Sequence, residues 1–403
     1  MATQLTNQHD VIVVGAGVVG CSTAYRLAQA GRKVLVIEQR GIASGASGRN
    51  GGMCGAGSGM HAESGDAVYA ITSANLELVK QLPGELETDF ELRLPGSLNV
   101  ATTEAQWEHL TESVREQKAA GLNVDLLDPY ETRQLMPALT ESIVGSEFAR
   151  DPGHLWPFKL VHGFANAARR LGAEFRLGTQ VQGLLRDGDS VVGVIANGER
   201  LTADEVVLCT NAYTPLILPE LPKGAIVPAR GQIMVTQALP DLLPHPFGTN
   251  FDKEYGRQTA DGKILCGGFR RLDENEGLGQ YEERVTPAVL AGIASCLTSL
   301  FPRLRDVRIV RCWAGIMGFT ADGLPIIGRA SFAPGLTIAA GFNGGGFSWA
   351  AITGKIVADL VCGNEPQFNI DHFRPDRFES GTNWSNPFTA GERSHTAAMS
   401  GTV

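Results

Sequence analysis

The sequence VIVVGAGVVGCSTAYRLAQAGRKVLVIE, residues 11–38, contains every part of a dinucleotide-binding βαβ unit. An apolar strand leads into Gly15, Gly17 and Gly20, a helix-period stretch follows, and a second strand ends at Glu38. In this unit the first glycine permits a tight turn, the second lets the backbone approach a pyrophosphate, and the third lets helix and strand pack closely. Glu38 lies 23 positions after Gly15, close to the spacing of about 20 residues expected of an acid that binds ribose hydroxyls. The segment therefore predicts a Rossmann-type domain that binds either NAD or FAD.

Two further glycine-rich segments point to a ligand that the backbone approaches closely. GIASGASGRNGGMCGAGSGM, residues 41–60, follows the βαβ unit almost at once. Near the C-terminus, GFNGGGF, residues 341–347, joins an apolar strand to a helix that we predict at 347–361. Glycines at this density let the chain lie against a flat ring that side chains would push away. The alternatives are a simple glycine-rich helix entry in the second segment and a solvated loop in the first.

Four motifs occur in a recognisable order along the chain. They are VGAGVVG with its downstream Glu38, ASGRNGG at 46–52, WAGIMGFTADGLPIIG at 313–328, and GFNGGGF at 341–347. In these motifs, over roughly residues 9–375, the sequence resembles the D-amino acid oxidase superfamily of FAD-dependent oxidoreductases. Members of that superfamily include glycine oxidase, sarcosine oxidase and gamma-glutamylputrescine oxidase. The resemblance implies FAD rather than NAD, and it is far more specific for the superfamily than for a substrate.

The flavin itself explains why the C-terminal glycine segment matters. A flavin that accepts a hydride at N5 develops negative charge around N1, and a helix N-terminus stabilises such charge through its N–H groups and dipole. The resemblance also places the loop at 41–60 beside the cofactor, where its Ser, Arg and Asn side chains, Ser44 among them, offer donors. It further puts the backbone near Val181 against the adenine. The predicted cofactor-binding residues are Gly15, Gly17, Val18, Gly20, Glu38, Gln39, Ser47, Gly48, Arg49, Asn50, Gly51, Gly52, Val181, Gly315, Gly341, Phe342, Asn343, Gly344, Gly345, Gly346 and Phe347.

Bulk properties fit a protein that acts on small molecules. With 403 residues and 43% hydrophobic content, the chain can bury large cores and should form about two domains. The formal net charge is -9, and basic runs do not exceed pairs, so nucleic acid is not an expected partner. The sequence shows neither a Ser-His-Asp constellation nor a metal-ligand cluster, so hydrolysis and metal binding are not expected.

Cysteine usage and the N-terminus bear on the compartment. The seven cysteines are scattered and form no CxxC pair, so neither a disulfide framework nor a zinc site is predicted. Residues 1–10 lack a positive segment followed by an apolar core, and no run of 18 apolar residues occurs. We therefore expect a protein of a reducing compartment, the cytoplasm, that does not span a membrane.

We predict an α/β fold in which a Rossmann-type FAD-binding domain is assembled from separated segments. A substrate domain of α+β type carries a mixed antiparallel sheet. The FAD-binding domain is assigned residues 9–85, 149–225 and 313–375, and the substrate domain residues 86–148 and 226–312. Helices are predicted at residues 104–120, 128–136, 158–171 and 286–300, and strands at 174–177 and 205–209. Asp187-Gly188 and Asn197-Gly198 predict two hairpins. Residues 379–403, which lack periodicity, are predicted to form a mobile tail.

The main departure from the superfamily lies on the substrate side. In D-amino acid oxidase and glycine oxidase, an arginine that clamps the substrate carboxylate occupies the position of Met317. In sarcosine oxidase, a lysine occupies the position of Ser348, and a cysteine that holds the flavin covalently occupies that of Gly315. Arginine is the preferred partner of a carboxylate, so its absence argues against an α-amino acid bound in the usual pose. Noncovalent FAD and an amine substrate, as in gamma-glutamylputrescine oxidase, are therefore expected.

Other pocket candidates are less specific. His154 lies either at the site or in a turn where it is simply hydrogen-bonded. Tyr255 and Arg257 share one face of a predicted strand by alternation, and that face lines the pocket or faces solvent. We interpret Arg230 as part of a structural ion pair rather than as a substrate anchor. The predicted substrate pocket consists of Met317, Arg257, Tyr255 and His154.

These features predict oxidation of a C–N bond by hydride transfer to flavin N5, giving an imine that water hydrolyses. The expected partners are a small amine or amino-acid-like substrate and either O2 or another electron acceptor, with partner subunits left open. One alternative is a dehydrogenase that passes electrons to a quinone or a partner protein. Another is an amino acid oxidase that holds the carboxylate at a different position. A flavoprotein without catalytic activity is the third.

Overall fold

The computed structural model describes residues 9–55, 65–249 and 254–378 of the chain. Within these ranges the strands form two eight-stranded sheets and one two-stranded sheet. The predicted mobile tail at 379–403 lies outside the described residues. No helix in the described ranges has the length and apolar character needed to cross a membrane.

The elements are numbered in chain order. The strands are β1 (His9–Val14), β2 (Val34–Glu38), β3 (Met53–Cys54), β4 (Ser97–Ala101), β5 (Val124–Leu127), β6 (Gly145–Ala149), β7 (Gly153–His154), β8 (Glu174–Leu177), β9 (Val181–Asp187), β10 (Ser190–Ala196), β11 (Glu199–Leu208), β12 (Ile226–Ala238), β13 (Phe247–Gly248), β14 (Tyr255–Gln258), β15 (Lys263–Gly267), β16 (Ile309–Thr320), β17 (Ile326–Arg329) and β18 (Leu336–Ala340). The α-helices are α1 (Val18–Gln29), α2 (Gly65–Glu85), α3 (Glu104–Ala119), α4 (Pro129–Leu135), α5 (Pro157–Arg170), α6 (Thr214–Ile217), α7 (Pro287–Leu300) and α8 (Ala350–Val361).

The first sheet carries the predicted βαβ unit. Its strand order is β17-β18-β11-β1-β2-β8, and the strands from β18 to β8 run parallel. Val11 and Val13 pack against α1, α5 and α8, whereas Ile12 and Val14 pack against the β9–β10 side. A parallel strand covered on both faces requires a continuous apolar run, which is what residues 11–14 provide. The predicted order of strand, helix and strand is confirmed.

The two predicted hairpins join β9, β10 and β11. β9 pairs antiparallel with β10, and β10 pairs antiparallel with β11. Asn197 and Gly198 have φ of +46° and +81°, the left-handed conformations that a tight hairpin turn requires. β11 begins at Glu199, earlier than the predicted strand at 205–209. The early start arises because the first half of β11 pairs with β10, while its second half pairs with β1 and β18.

The helices predicted outside the βαβ unit are present as α3, α4, α5 and α7. α3 and α4 both begin with a capping box, formed by Thr103 with Gln106 and by Asp128 with Glu131. In each box the two residues satisfy each other's free backbone N–H groups, which fixes the start of the helix locally.

The second sheet has the order β16-β12-β15-β14-β13-β4-β6-β5. β13 and β4 pair in parallel, and the other described pairs are antiparallel, as in the mixed sheet that we predicted. One face packs on α7 through an apolar core that includes Met234 and Ile264. β16 pairs with β12 from Ile309 to Thr320, so the domain boundary that we placed at residue 313 falls inside a single strand.

Candidate functional site

The turn between β1 and α1 is so tight that two of its glycines cannot carry a side chain. Gly15 has φ of +103°, and its N–H donates to the carbonyl oxygen of Ile37 at 2.8 Å. A Cβ on Gly15 would lie 2.7 Å from the carbonyl oxygen of Cys209, just after β11. A Cβ on Gly20 would overlap the carbonyl oxygen of Gly15. These contacts produce the close approach of helix and strand that a dinucleotide-binding turn needs.

The N-terminus of α1 has unused hydrogen-bond donors. The N–H of Val18 donates to Ser47 Oγ at 2.9 Å. Among the described residues, the N–H groups of Val19 and Gly20 have no hydrogen-bond acceptor. A Cβ on Gly17 would have only the Ser47 side chain nearby, with Oγ at 3.0 Å. Free N–H groups at the positive end of a helix favour a phosphate, so this end of α1 can hold a pyrophosphate.

The carboxylate of Glu38 lies beside this turn. Oε2 accepts the N–H of Ala16 at 3.0 Å, and Oε1 accepts the N–H of Arg40 at 2.8 Å. The carbonyl oxygen of Glu38 accepts the N–H of Thr179 at 2.9 Å. That bond brings the start of β9, with the predicted adenine neighbour Val181, next to the end of β2. The acid that we predicted to bind ribose thus lies between the phosphate-binding turn and the predicted adenine side.

Asn50 folds the loop that contains it. Its Nδ2 donates to the carbonyl oxygens of Ala46 at 3.0 Å and Ser47 at 2.8 Å, and its Oδ1 accepts the N–H of Gly52 at 2.7 Å. Gly52 has φ of +72°, and a Cβ there would overlap the carbonyl oxygen of Leu155. Because the amide of Asn50 is engaged inside the loop, we revise its predicted role from donating to the cofactor to shaping the loop.

Arg49 is likewise held by protein groups. Its Nε donates to the carbonyl oxygen of Ser44 and its Nη1 to that of Ala314, both at 3.0 Å. Trp313 Nε1 donates to the carbonyl oxygen of Arg49 at 3.1 Å. A Cβ on Gly315 would lie 2.8 Å from Arg49 Cβ. The glycine at 315 is therefore required by packing, and Arg49 fixes the loop to β16 through Nη1. Donors remain on the guanidinium, so its binding to the cofactor stays a prediction.

Two asparagines organise the C-terminal glycine segment. Asn343, with φ of +51°, accepts the N–H of Thr320 at 2.8 Å through Oδ1. Its Nδ2 donates to the carbonyl oxygens of Gly323 at 2.9 Å and Gly341 at 2.8 Å. Asn211 Oδ1 accepts the N–H of Gly341 at 2.9 Å. Our sequence reasoning missed Asn211, although its position shortly after a strand of the parallel sheet was a usable signal.

The helix that we predicted at 347–361 begins later than expected. α8 starts at Ala350, after a turn at Gly346–Ser348. Asn75 Oδ1 accepts the N–H groups of the second and third residues of α8 at 2.9 and 3.1 Å, and its Nδ2 donates to the carbonyl oxygen of Phe347 at 3.1 Å. Because Asn75 accepts these two N–H groups, they are not available to a cofactor, and that this helix N-terminus faces the cofactor stays a prediction.

Backbone donors remain in the loop that precedes α8. Within the described ranges, the N–H groups of Gly344, Gly346 and Phe347 make no hydrogen bond. The N–H of Gly345 donates to the carbonyl oxygen of Phe342 at 2.8 Å, which keeps the loop compact. The three free N–H groups, rather than the start of α8, are therefore the candidates for stabilising charge on a flavin ring.

Met317 and Ser348 lie at this glycine segment. A Cβ on Gly231 would lie 2.8 Å from Met317 Cε, and one on Gly344 would lie 3.6 Å from Met317 Sδ. The half-buried thioether thus fills the space between β12 and the glycine segment. Ser348 is buried, and its N–H donates to the carbonyl oxygen of Gly345 at 2.8 Å. Neither position provides a cation.

Tyr255 and Arg257 face the end of the first glycine-rich loop. A Cβ on Gly51 would lie 2.6 Å from Tyr255 Cε2. Arg257 donates from Nε to the carbonyl oxygen of Gly51 at 2.5 Å and from Nη2 to that of Leu155 at 3.2 Å. Arg257 is 5% exposed, so the interpretation in which this face points to solvent is wrong. Burial lowers the pKa of the Arg257 guanidinium and raises that of the Tyr255 hydroxyl.

His154 is the third group in this cluster. It lies in β7, paired with Met53 of β3, and its Nδ1 is 3.3 Å from Nη1 of Arg257. Burial and the positive charges of Arg257 and Arg93 lower the pKa of His154 to about 4. The imidazole is therefore neutral near pH 7 and can accept a hydrogen bond from the guanidinium.

We expect His154 to make the protein less stable in mild acid. Its pKa is about 4 in the folded protein against 6.5 normally, so between these values the unfolded chain binds a proton that the folded protein rejects. The free energy of unfolding should therefore decrease as the pH falls through this window. Urea unfolding at about pH 7 and about pH 5 should show a smaller decrease in His154→Asn than in wild type.

The exposed His162 provides the matched control. His162→Asn should retain the wild-type decrease between the two pH values. An equal decrease in wild type and His154→Asn would contradict the assignment of a depressed pKa to His154.

Arg230 lies apart from these groups. It pairs with Asp273 through Nε at 2.7 Å and Nη2 at 2.8 Å, and Gln232 Nε2 donates to the same carboxylate at 3.0 Å. The two charged side chains are 0% and 1% exposed. The interpretation of Arg230 as part of a structural ion pair is confirmed. Asp273 was missed, because a partner 43 residues away leaves no local pattern.

The fold and these contacts define a dinucleotide-binding protein in which a Rossmann-type sheet and a second, mostly antiparallel sheet meet at glycine-rich loops. The family model described as "DAO: FAD dependent oxidoreductase" matches residues 10–360. The chain therefore belongs to the DAO family of FAD-dependent oxidoreductases, as the four motifs indicated.

Individual relatives agree with this assignment over nearly the whole chain. Glycine oxidase of Bacillus licheniformis is 28% identical over 93% of this chain and 99% of its own length. Gamma-glutamylputrescine oxidoreductase of Escherichia coli is 29% identical over 94% of this chain and 90% of its own. The crystal structure of glycine oxidase from Geobacillus kaustophilus matches with a TM-score of 0.85 at 25% identity, covering 93% and 100% of the two chains. L-proline dehydrogenase from P. horikoshii matches with a TM-score of 0.82 at 27% identity, covering 93% and 98%. The predicted fold class and the FAD-dependent enzyme class are confirmed.

The residues present fit FAD. The turn at 15–20 has no room for a side chain on Gly15 or Gly20, and the Glu38 carboxylate lies beside it, bound to the N–H of Ala16. Gly48 packs so closely that a Cβ would overlap the carbonyl oxygen of Ala43, which keeps the loop flat. Gln39, also predicted to bind the cofactor, is exposed next to Glu38.

Proposed function

We propose that this protein uses noncovalently bound FAD to oxidise a C–N bond in an amine or amino-acid-like substrate. When bound, FAD would accept a hydride from the carbon that bears the nitrogen, and water would hydrolyse the resulting imine. The observation that carries the amine assignment is the thioether of Met317 against Gly344, at the position where the superfamily pattern has a carboxylate-binding arginine. The names of the glycine oxidase and gamma-glutamylputrescine oxidoreductase relatives support C–N chemistry.

In this proposal the chain orients the substrate and keeps water away from it. Ile233 and Leu265 form a buried apolar cluster on the face of the second sheet opposite to α7, with the partly buried Tyr255 and Trp313 packed against it. In this proposal the two aromatic residues present the apolar surface to the substrate. Such a surface disfavours an ammonium ion and favours the neutral amine, whose lone pair assists hydride loss. The tyrosine hydroxyl stays neutral, because burial raises its pKa. Because a neutral amine can lose the hydride directly, no side chain has to remove a proton from the substrate carbon.

An amino acid oxidase that holds the carboxylate at Arg257 is a second candidate, favoured by one observation. The buried guanidinium makes three hydrogen bonds, to two carbonyl oxygens and to His154. An arginine has five N–H donors, and among the described residues no carboxylate pairs with this one. A substrate carboxylate could therefore be accommodated at the remaining donors.

Anaerobic mixing of the holoenzyme with a panel of amines and amino acids tests both candidates. The measured quantity is the rate at which flavin absorbance is lost. We expect amines whose polar group is far from the reacting carbon to reduce the flavin faster than glycine, D-alanine or sarcosine. If a simple α-amino acid is fastest, and Arg257→Lys removes that preference, the second candidate is supported instead. A flavin that no compound in the panel reduces would contradict both.

The electron acceptor is tested with the same substrate. We propose an oxidase, and oxygen consumption at the rate of flavin reduction would support it. Slow reoxidation by oxygen but fast turnover with a quinone would indicate a dehydrogenase.

The seven cysteines are all free, which fits a reducing compartment, and we propose the cytoplasm.

Met317→Arg should impair turnover of the native amine. It would introduce a cation between β12 and the glycine segment. Burying an unpaired charge costs on the order of several kcal/mol before relaxation, as breaking a buried ion pair does. We expect kcat/KM for the best amine to fall by at least about tenfold. Met317→Leu, which keeps the apolar volume, should stay within about threefold of wild type. Unchanged kcat/KM in Met317→Arg would show that Met317 does not line the substrate site.

FAD should leave the protein intact on denaturation. Gly315 has no sulfur with which to form a covalent bond, and its backbone packs directly on Arg49. Acid precipitation should yield a colourless pellet and a supernatant whose flavin has the fluorescence of FAD. Yellow colour that stays with the denatured chain would contradict noncovalent binding.

A further inference from the structure

Residues 278–286 form an arch between the second sheet and the cofactor-binding loops. At one end, Leu278 forms an isolated bridge with Ala229 of β12. At the other end, the N–H of Thr286 donates to Gln232 Oε1 at 2.7 Å. Both ends of the arch are therefore fixed to the same strand, while its middle reaches away from the sheet.

Tyr281, in the middle of the arch, contacts the turn at Asn211–Tyr213, which follows β11. Its ring packs on the ring of Tyr213 with centroids 5.3 Å apart, and its hydroxyl donates to the carbonyl oxygen of Ala212 at 3.0 Å. This turn also contains Asn211, whose side chain binds the N–H of Gly341. The arch thus contacts the turn that organises the C-terminal glycine segment.

The carboxylate of Glu283 binds both Arg40 and Arg49, which lie at the two ends of the segment at 40–49. Its Oε2 lies 2.9 Å from Arg40 Nη1 and 2.9 Å from Arg49 Nη2. Its Oε1 accepts two further hydrogen bonds from Arg40, both at 3.1 Å. Arg40 follows the end of β2, where its N–H holds the carboxylate of Glu38. A single acidic side chain therefore connects both ends of the segment at 40–49.

The segment at 40–49 lies against the place where a pyrophosphate is expected. Ser47, within it, accepts the N–H of Val18 at the N-terminus of α1. The side chains of Arg40, Arg49 and Glu283 are 36%, 27% and 20% exposed, so water and salt reach the ion pairs. Ion pairs of this kind weaken with ionic strength and can open without disrupting an apolar core.

We infer that Glu283 is a latch that must release Arg40 and Arg49 before FAD can enter or leave the protein. In this inference the segment at 40–49 moves away from α1 for a pyrophosphate to pass. Glu283 opposes that movement from the arch, in addition to the hydrogen bonds of Arg49 to Ala314 and of Trp313 to Arg49. Glu283 is in this sense a positioning residue for the cofactor-binding segment. The inference rests on FAD binding, which the family establishes, and not on the identity of the substrate.

The test measures FAD uptake and release in Glu283→Gln. Uptake is followed from the quenching of flavin fluorescence when apoprotein is mixed with FAD, and release from its recovery when holoenzyme is diluted. We expect both rate constants to rise by about tenfold, because a latch blocks passage in both directions. Glu199→Gln, which removes the exposed Arg176–Glu199 pair of 3.0 Å on the first sheet, should leave both unchanged.

A purely electrostatic role and a purely structural role for Glu283 would each change the two rate constants in opposite directions. If Glu283 only neutralises charge, its removal frees Arg40 and Arg49 to attract the pyrophosphate, so uptake would become faster and release slower. If its removal only damages the fold, release would become faster and uptake slower, with a lower Tm. Either result would overturn the latch, which requires a rise in both rate constants.

Salt provides an independent test, whose main measurement is made on the wild-type protein. Raising KCl from about 0.05 to about 0.5 M should accelerate FAD release from wild type, because screening weakens the exposed ion pairs. The same change should have little effect on release from Glu283→Gln. Release from wild type that does not respond to salt would overturn the latch. Substrate panels do not enter this test, so its failure is distinguishable from a failure of the amine assignment.

Discussion

Gly20→Val is expected to yield a protein that does not retain FAD and whose free energy of unfolding is lower by at least about 3 kcal/mol. A Cβ at this position would overlap the carbonyl oxygen of Gly15 and lie 3.3 Å from Cys209 Cβ. The obstruction comes mainly from backbone that is already fixed by β1, so α1 would have to move away from the sheet. Urea unfolding and the ratio of flavin to protein absorbance after gel filtration measure the two effects.

Two other glycines separate folding from binding in this experiment. A Cβ on Gly17 would meet only the movable Ser47 hydroxyl at 3.0 Å, so Gly17→Ala should lose little stability while binding FAD more weakly. A Cβ on Gly183 of β9 would meet nothing within 4 Å, so Gly183→Ala should change neither property by much. FAD retained at wild-type affinity by Gly20→Val would contradict the placement of the pyrophosphate at this turn.

Asp273→Ala is expected to destabilise the protein by about 3–5 kcal/mol. The mutation leaves the guanidinium of Arg230, 0% exposed, without the carboxylate that binds it in two places. Gln232 Nε2 also loses one of its two acceptors and keeps Thr286 Oγ1 at 3.0 Å. Glu282, the other acid that lies within 4 Å of Arg230 in the part of the chain that the structure describes, is 3.8 Å away and 62% exposed, so it cannot replace a buried partner. Urea unfolding near pH 7 measures the loss.

The pH dependence of Asp273→Asn gives a further check of the same pair. Burial alone would raise the pKa of Asp273, but the hydrogen bonds and charge of Arg230 outweigh it and lower the pKa below its usual value of 3.8. The stabilisation is therefore complete above about pH 4 and is lost as the pH falls through the lower folded-state value. The difference in unfolding free energy between wild type and Asp273→Asn should shrink below about pH 4.

Glu199→Ala is the control for Asp273→Ala. It removes the exposed Arg176–Glu199 pair and should lower the free energy of unfolding by less than about 1 kcal/mol.

Features that depend on neighbouring residues could be predicted from the sequence. The βαβ unit, the capping-box helices and the two hairpins follow from apolar periodicity, side-chain caps and Asn-Gly or Asp-Gly turns, which act within a few residues. The family was indicated by the resemblance of four motifs to those of the superfamily, and the match of the family model over residues 10–360 shows it. That Met317 stands where the superfamily has an arginine is a prediction from the same resemblance.

The hydrogen-bond partners of polar side chains could not be predicted from neighbouring residues. The sequence suggested that Arg49 and Asn50 were free donors, but the structure engages Asn50 within its own loop and Arg49 with β16. The late start of α8 depends on Asn75, which lies 276 residues before the first amide that it caps. A residue type specifies which hydrogen bonds are available, whereas the tertiary structure decides which partner is close enough to form them.

The sequence by itself determined the Rossmann-type core and the FAD-dependent family, because the first depends on local spacing and the second on motifs that can be recognised residue by residue. Only the tertiary structure decided that Arg257 is buried beside a neutral His154, that Arg230 is paired with Asp273, and that Glu283 joins Arg40 to Arg49. Each of these contacts joins residues that are far apart along the chain. Their charge and burial are therefore set by tertiary packing, within the second sheet's domain for Arg230 and between distant segments for the others, which no local pattern records.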